Sequence, residues 1–159
     1  MSKVLTVYFS AEGRTAGLAK KISELAGGEL FEISPEEPYS ASDINWKNPI
    51  SRCNKEKIGK KDVPFAGRPE SFDECDTVFI GFPIWYYGAP NIIQTFMKEF
   101  EWSGKRIALF ATSGGSDIGK TVGKLRPFIS GDYRLIAAKV FKDPDNAEEI
   151  AEYVGGIVK

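Results

Sequence analysis

The sequence contains no histidine and only two cysteines, Cys53 and Cys75, in 159 residues. Without imidazole, the chain lacks both the usual general base of neutral pH and the commonest ligand of transition metals. The two cysteines lie far apart, which excludes a CxxC redox motif and a zinc ribbon, and a reducing compartment disfavours a disulfide between them. We therefore predict no metal site and no catalytic side chain, so any chemistry depends on a bound cofactor.

The chain also lacks an excess of charge of either sign. It has 21 Lys and Arg against 22 Asp and Glu, for a formal net charge of −1. Such a chain has no broad positive field to attract nucleic-acid phosphates. Its first apolar run, Val4 to Phe9, is too short for a signal-peptide core or a membrane span. These features predict a cytoplasmic protein that neither binds nucleic acid nor inserts into a membrane.

What the sequence does contain is an alternation of strand and helix patterns. The length and the 42% hydrophobic content predict a single domain over residues 1–159. Five hydrophobic runs are typical of buried strands: Val4 to Phe9, Glu29 to Ile33, Thr77 to Phe82, Arg106 to Ala111 and Leu135 to Phe141. Because parallel strands need crossovers and are buried on both faces, this order predicts an α/β fold with helices on both faces of a parallel sheet.

Helical spacing of apolar residues separates these runs. It predicts helices over Arg14 to Ala26, Asn91 to Phe100, Ile118 to Ile129 and Asp145 to Gly155. Gly27 and Gly28 are expected to end the first helix, and Asp145 with Glu148 to cap the last. The proline-rich and charged segment from Ser34 to Asp76 has no firm assignment, apart from a short helix around Ser51 to Ile58.

The first strand is followed by a turn with the chemistry of a phosphate site. This phosphate turn is Ser10-Ala11-Glu12-Gly13-Arg14-Thr15. A helix that begins here offers unpaired N–H groups and the positive end of its dipole, and the hydroxyls add donors. The turn is not the GxxxxGK[ST] loop of nucleotide hydrolases, because no lysine follows a second glycine. The alternative is an ordinary helix cap without a ligand.

Two more loops follow the third and fourth strands. The aromatic loop, Pro83-Ile84-Trp85-Tyr86-Tyr87-Gly88-Ala89-Pro90, carries three consecutive aromatics that cannot all face one core. At least one is expected to offer a flat surface to a planar ring, although packing on neighbouring helices is an alternative. The glycine loop, Thr112-Ser113-Gly114-Gly115-Ser116-Asp117, offers small donors and backbone N–H groups. Its Ser116 or Asp117 could instead merely cap a helix.

All three loops follow the carboxyl ends of strands, where ligands of such sheets bind. They supply a phosphate cradle, a stacking surface and a clamp for a ring edge. In the residues Tyr8 to Thr15, Gly81 to Trp85 and Thr112 to Gly115, the chain resembles the flavodoxins, and the order of strands and helices agrees along nearly its whole length. The resemblance implies a flavodoxin-like three-layer sandwich with strand order 2-1-3-4-5 and FMN between strands one and three.

The resemblance also implies which residues contact the FMN. The phosphate would bind at Ser10, Ala11, Glu12, Gly13, Arg14 and Thr15. The ring would be flanked by Pro83, Ile84, Trp85, Tyr86, Tyr87 and Gly88, with Trp85 or Tyr86 stacking on it. Its other edge would meet Thr112, Ser113, Gly114 and Gly115. Flavodoxins often have Thr and Asn where this chain has Ala11 and Arg14, so Arg14 either replaces them by its charge or points to solvent.

Three functions are compatible with this scaffold. The first is an electron carrier between a reductase and an acceptor protein, although this chain is less acidic than typical flavodoxins. The second is an FMN-dependent reductase that uses NAD(P)H and a quinone or a flavin, with the segment from Ser34 to Asp76 as a lid. The third is a flavin-free interaction domain. A phosphoacceptor receiver domain is excluded, because Phe9-Ser10-Ala11 lacks clustered acidic residues.

Overall fold

The computed structural model describes residues 3–10, 13–35, 65–84, 89–112, 121–143 and 145–158. Its central sheet is parallel and consists of β1 (Val4–Tyr8), β2 (Glu29–Glu32), β5 (Thr77–Pro83), β6 (Arg106–Thr112) and β7 (Arg134–Phe141). A separate antiparallel pair consists of β3 (Ser34–Pro35) and β4 (Phe65–Ala66). The sheet order is β2-β1-β5-β6-β7, which is 2-1-3-4-5 when only its own strands are counted. The predicted flavodoxin-like fold is confirmed.

Four α-helices are described: α1 (Arg14–Ala26), α2 (Asn91–Lys98), α3 (Thr121–Leu125) and α4 (Ala147–Ile157), with a 3-10 helix at Arg126–Phe128 after α3. The predicted bounds of α1 are confirmed. It ends at Gly27 and Gly28, which both adopt positive φ, and a Cβ at Gly28 would collide with the Val4 carbonyl. No helix in these ranges is long and apolar enough to cross a membrane. The helix predicted over Ser51 to Ile58 lies outside the described residues.

The strands bury alternate side chains on opposite faces of the sheet, which gives two cores. In β5, Val78 and Ile80 belong to one core and Phe79 to the other. Helices α1 and α4 cover the Phe79 face with Leu18, Ala19, Ile22, Ile150 and Val154. The opposite face is covered by α2 and by a cluster of aromatic rings: Phe72, Phe96, Phe100 and Trp102. The sheet is therefore covered on both faces, as the apolar runs predicted.

One predicted helix cap is wrong. The N-cap of α4 is Asn146, whose side-chain oxygen accepts a hydrogen bond from the Glu149 N–H at 3.1 Å, and not Asp145 paired with Glu148. Asp145 instead forms an ion pair with Lys21 of α1 at 2.7 Å. Both Asp and Asn are good caps, so local sequence could not choose between adjacent positions. The ion pair between Asp145 and Lys21 of α1 engages the Asp145 carboxylate, and Asn146 caps α4.

Candidate functional site at the carboxyl ends of the strands

The phosphate turn leaves the sheet at the point where the strand order reverses. Strand β1 lies between β2 and β5, and the pairing continues just beyond it, where the Phe9 N–H donates to the Gly81 carbonyl at 3.0 Å. On the other side, the Ile33 N–H donates to the Tyr8 carbonyl at 2.7 Å. The connections from β1 and from its neighbour β5 run in opposite directions across the sheet, toward β2 and toward β6, which opens the crevice where ligands of such folds bind.

Gly13 shapes the phosphate turn. It adopts a φ of +94°, a left-handed backbone conformation that residues other than glycine rarely adopt. Its N–H donates to the Ser10 Oγ at 2.9 Å, and its carbonyl accepts the first hydrogen bond of α1, from the Gly17 N–H at 3.1 Å. Among the described residues, and apart from its two neighbours in the chain, no atom lies within 4 Å of the position that a Cβ would occupy at Gly13. The hydrogen bonds of Gly13 therefore link Ser10 to the start of α1.

The start of α1 is rich in donors. Its cap, Gly13, provides no side-chain acceptor, and the first turn contains no acidic residue. Within the described residues, the amides of Arg14, Thr15 and Ala16 have no hydrogen-bond acceptor. Unpaired N–H groups at the positive end of a helix dipole form a ready site for an anion. The contrast with α4 is direct, because α4 has the Asn146 cap and two glutamates in its first turn.

A pair of hydroxyls connects the phosphate turn to the glycine loop. Thr15 Oγ1 and Thr112 Oγ1 lie 2.7 Å apart, and either could be the donor. The two residues are only 1% and 4% exposed. Thr15 belongs to the first turn of α1, and Thr112 is the last residue of β6. The packing of α1 against the sheet therefore brings these two predicted site residues into contact.

Thr112 also contacts the aromatic loop. Its carbonyl accepts a hydrogen bond from the Ile84 N–H at 3.0 Å, and Pro83 is its register partner in β5. Pro83 and Ile84 are half-buried, and Ile84 packs against the apolar core of the α2 face. The starts of the two loops therefore lie side by side, and Thr112 contacts residues from both of the other loops.

Arg14 is exposed but has partners. One of its terminal nitrogens donates to the Lys142 carbonyl at 3.3 Å, just after β7 ends. The pKa of the Asp145 carboxyl is lowered mainly by its hydrogen bond to Lys21 and by the charge of Lys21. The positive charge of Arg14 lowers it further. The Arg14 side chain is thus exposed and bonded to the end of β7, and a role for its charge at the phosphate stays a prediction.

Among the predicted site residues, Ser10, Gly13, Arg14, Thr15, Pro83, Ile84 and Thr112 are described, and all lie at the carboxyl ends of β1, β5 and β6 or at the start of α1. The others, Ala11, Glu12, Trp85, Tyr86, Tyr87, Gly88, Ser113, Gly114 and Gly115, lie outside the described residues, and their roles stay predictions. Sequence patterns missed the contact between Thr15 and Thr112, because no local signal pairs residues so far apart.

The described donors fit a phosphate group. The amides at the start of α1 have no acceptor in the described ranges, and two hydroxyls that share one hydrogen bond have one hydrogen to spare. No atom of the described residues outside its chain neighbours would contact a Cβ at Gly13. A phosphate accepts several hydrogen bonds at once and favours the positive end of a helix. FMN carries such a phosphate, so the residues present are compatible with the cofactor that the sequence predicted.

The chain is similar to known proteins over nearly its full length. The model of the flavodoxin family matches residues 3–157. A solved structure from Bacteroides eggerthii, provisionally described as a flavoprotein, is 34% identical, with a TM-score of 0.87 and coverage of 100% of this chain and 99% of that one. A second, from Bacteroides uniformis and described in the same way, is also 34% identical, with a TM-score of 0.81 and coverage of 97% and 98%.

A more distant structure contains a ligand. It is a flavoprotein from Lactobacillus acidophilus in complex with FMN, 21% identical, with a TM-score of 0.70 and coverage of 96% of this chain and 99% of that one. At that identity, it supports the fold alone. No curated protein matches the chain. Because the family model covers almost every residue and two structures share a third of the sequence over their whole length, the chain belongs to the flavodoxin family.

Proposed function

We propose that this protein binds FMN at the carboxyl ends of its strands and carries electrons between a reductase and an acceptor protein. The observation that carries the proposal is the start of α1, whose first amides have no acceptor among the described residues and which contributes Thr15 to the Thr15–Thr112 pair. Membership of the flavodoxin family and the FMN complex of the Lactobacillus relative support it. A cytoplasmic location stays a prediction.

The three loops would hold different parts of the cofactor. Ser10 to Thr15 would bind the phosphate, the aromatic loop would stack on the ring through Trp85 or Tyr86, and Thr112 to Gly115 would approach its other edge. FMN supplies the redox chemistry when it is bound, because its ring accepts one or two electrons. The role of the chain is to orient the ring and to adjust its potential through stacking, hydrogen bonds and local charge.

The first experiment tests FMN binding. Apo-protein is titrated with FMN while the flavin fluorescence and the visible spectrum are followed, and we expect quenching that saturates at one FMN per chain. A redox titration then gives the midpoint potentials. Protein that is colourless and takes up no FMN would instead support the flavin-free interaction domain. Trp85→Ala tests the stacking role, which is wrong if both the affinity and the midpoint potentials stay unchanged.

One observation favours an FMN-dependent reductase as a second candidate. Residues 36–64 connect β3 to β4, and these two strands pair directly after the carboxyl end of β2, at the same edge of the sheet as the candidate site. An addition such as the β3–β4 pair at this edge is suited to border a substrate pocket. Oxidation of NADH and NADPH by the FMN-loaded protein, with and without a quinone, separates the two functions. Turnover favours the reductase, and its absence favours the carrier.

A further inference from the structure

The pair formed by Thr15 and Thr112 has one more hydrogen than it uses. Each hydroxyl has one hydrogen to donate, and the 2.7 Å contact between the oxygens uses only one of the two. Neither side chain has another hydrogen bond within the described residues. Both residues are buried, so the second hydrogen is kept from bulk water. A buried donor without an acceptor is costly, which points to an acceptor supplied by a ligand.

The direction of this hydrogen bond decides which hydroxyl faces the ligand. If Thr112 donates, the Thr15 hydrogen is spare, and if Thr15 donates, the Thr112 hydrogen is spare. Thr15 lies in the first turn of α1, next to the amides that have no acceptor in the described ranges, whereas Thr112 ends a strand. An anion at the start of α1 therefore favours donation from Thr112 to Thr15. A chain of two hydroxyls ending on a charged oxygen also strengthens both hydrogen bonds.

We propose that Thr112 is a positioning residue for the cofactor phosphate. Its hydroxyl donates to Thr15 Oγ1 and fixes that side chain, so that the Thr15 hydroxyl donates to the phosphate. This inference rests on the proposed binding of FMN. It gives Thr112 a role at the phosphate end of the cofactor, different from the ring-edge contact that the sequence predicted. Its carbonyl, which accepts from the Ile84 N–H, connects the same residue to the aromatic loop.

Three substitutions separate the hydroxyl from the shape of the side chain. Thr112→Val keeps the branched shape that suits the end of a strand but removes the donor. Thr112→Ser keeps the donor and removes only a methyl group. Thr6→Val is the matched control, because Thr6 lies in β1 of the same sheet, is fully buried and has a hydroxyl without a partner within the described residues.

The measurement is the affinity of each apo-protein for FMN and for riboflavin, which lacks the phosphate. For Thr112→Val we expect FMN binding to weaken about tenfold, because the Thr15 hydroxyl that donates to the charged phosphate loses the hydrogen bond that holds it in place, with riboflavin binding unchanged. Thr112→Ser should retain the wild-type ratio of the two affinities, and Thr6→Val should leave both affinities unchanged. Thr15→Val should match Thr112→Val, and the double variant should lose little more, because the two residues act as one unit.

The proposal is overturned if Thr112→Val weakens FMN and riboflavin binding equally, since that result indicates a general structural role. It is also overturned if Thr112→Val changes neither affinity. If Thr112→Val fails to fold, Thr112→Ser provides the test. The proposal is contradicted if Thr112→Ser lowers the ratio of FMN affinity to riboflavin affinity as much as Thr15→Val does, because Thr112→Ser keeps the hydroxyl donor.

Inorganic phosphate provides a readout that is independent of the flavin. We expect phosphate to raise the midpoint of thermal unfolding of the wild-type apo-protein, and to raise that of Thr112→Val less. If the wild type binds neither flavin but shows this difference, the proposed function is wrong and the positioning role of Thr112 is supported. If phosphate does not protect the wild type either, both are wrong.

Discussion

At the amino ends of the strands, Lys105 is buried, and its ammonium donates to the carbonyls of Phe72 and Cys75 at 2.7 Å each. It also lies 4.5 Å from the centre of the Phe72 ring. At the carboxyl ends, by contrast, the first amides of α1 and one hydroxyl hydrogen of the Thr15–Thr112 pair have no acceptor within the described residues. Lys105 thus has its acceptors within the chain, whereas the start of α1 has donors to spare.

This difference indicates that the amino ends of the strands contribute to the stability of the fold, whereas the carboxyl ends contribute to ligand binding. At the amino end, the Lys105 ammonium and the Phe72 and Cys75 carbonyls satisfy one another. Burial also raises the pKa of the Cys75 thiol there, which makes it less reactive. Donors left over at the carboxyl end contribute little to the folded chain alone but favour an anionic ligand. Substitutions at the amino end should therefore change the free energy of unfolding and leave FMN affinity alone. Those in the phosphate turn should change FMN affinity as well.

The largest effect is expected for Lys105→Met. It leaves the Phe72 and Cys75 carbonyls without their donor in a buried environment, which should lower the free energy of unfolding by about 3 kcal/mol. Urea denaturation measures the loss. Lys3→Met is the matched control: Lys3 precedes β1, and its ion pair with Glu74 is exposed, so its loss should be much smaller. Equal losses of stability in Lys105→Met and Lys3→Met, or weaker FMN binding by folded Lys105→Met protein, would contradict the contrast between the two ends of the sheet.

Gly13→Ala is expected to have the next largest effect. None of the described residues beyond its chain neighbours would contact the added methyl group, so we expect the left-handed backbone to dominate the cost, at about 1 to 2 kcal/mol. FMN affinity should fall with it, because the turn must distort. Gly17→Ala, in the interior of the same helix and also in open space, should instead stabilise the protein by about 0.5 to 1 kcal/mol. The same sign for both variants in thermal unfolding would contradict this account.

Asn146→Ala tests a helix start that the chain caps itself. Loss of the hydrogen bond to the Glu149 N–H should cost about 1 kcal/mol of stability. FMN affinity should not change, since α4 needs no ligand at its N-terminus. Asp145→Ala, at the position that the sequence predicted for the cap, serves as the control and should cost less in chemical denaturation. A larger loss for Asp145→Ala would restore the original prediction.

Glu29→Gln is the smallest expected effect and depends on pH. Burial alone would raise the pKa of Glu29, but hydrogen bonds from the Ser71 hydroxyl and from the Ser71 and Glu70 amides lower it below its ordinary value near 4.5. Because the folded-state pKa is lowered, the stabilisation is present above pH 4.5 and is lost as the pH falls through the folded-state pKa. At pH 7 the variant should lose about 0.5 to 1 kcal/mol, after allowance for its partial exposure.

The pH dependence supplies the check on Glu29. Urea denaturation of the wild type and of Glu29→Gln at a series of pH values should show the difference shrinking below pH 4.5. A difference that stays constant down to pH 3 would show that the carboxylate charge is not what stabilises the turn at Ser71.

Local patterns predicted the elements well. The apolar spacing from Arg14 and the glycines at 27 and 28 gave the bounds of α1, and β-branched runs gave the strands. The contacts of individual side chains were harder to predict. The cap of α4 was misplaced by one residue, because the ion pair between Asp145 and Lys21 decides it. The burial of Lys105 could not be predicted, since lysine is usually exposed and its acceptors belong to a distant turn.

The sequence by itself determined the alternation of strands and helices, the glycines that end α1 and form the phosphate turn, and the polar character of the loops. These follow from interactions between residues a few positions apart. Only the tertiary structure decided that Thr15 meets Thr112 across 97 residues and that Lys105 meets the carbonyls of the turn before β5. Such contacts depend on how the crossover helices pack on the twisted sheet. That packing is set by the apolar residues of both cores together, and these residues come from segments far apart in the sequence, so no short segment predicts it.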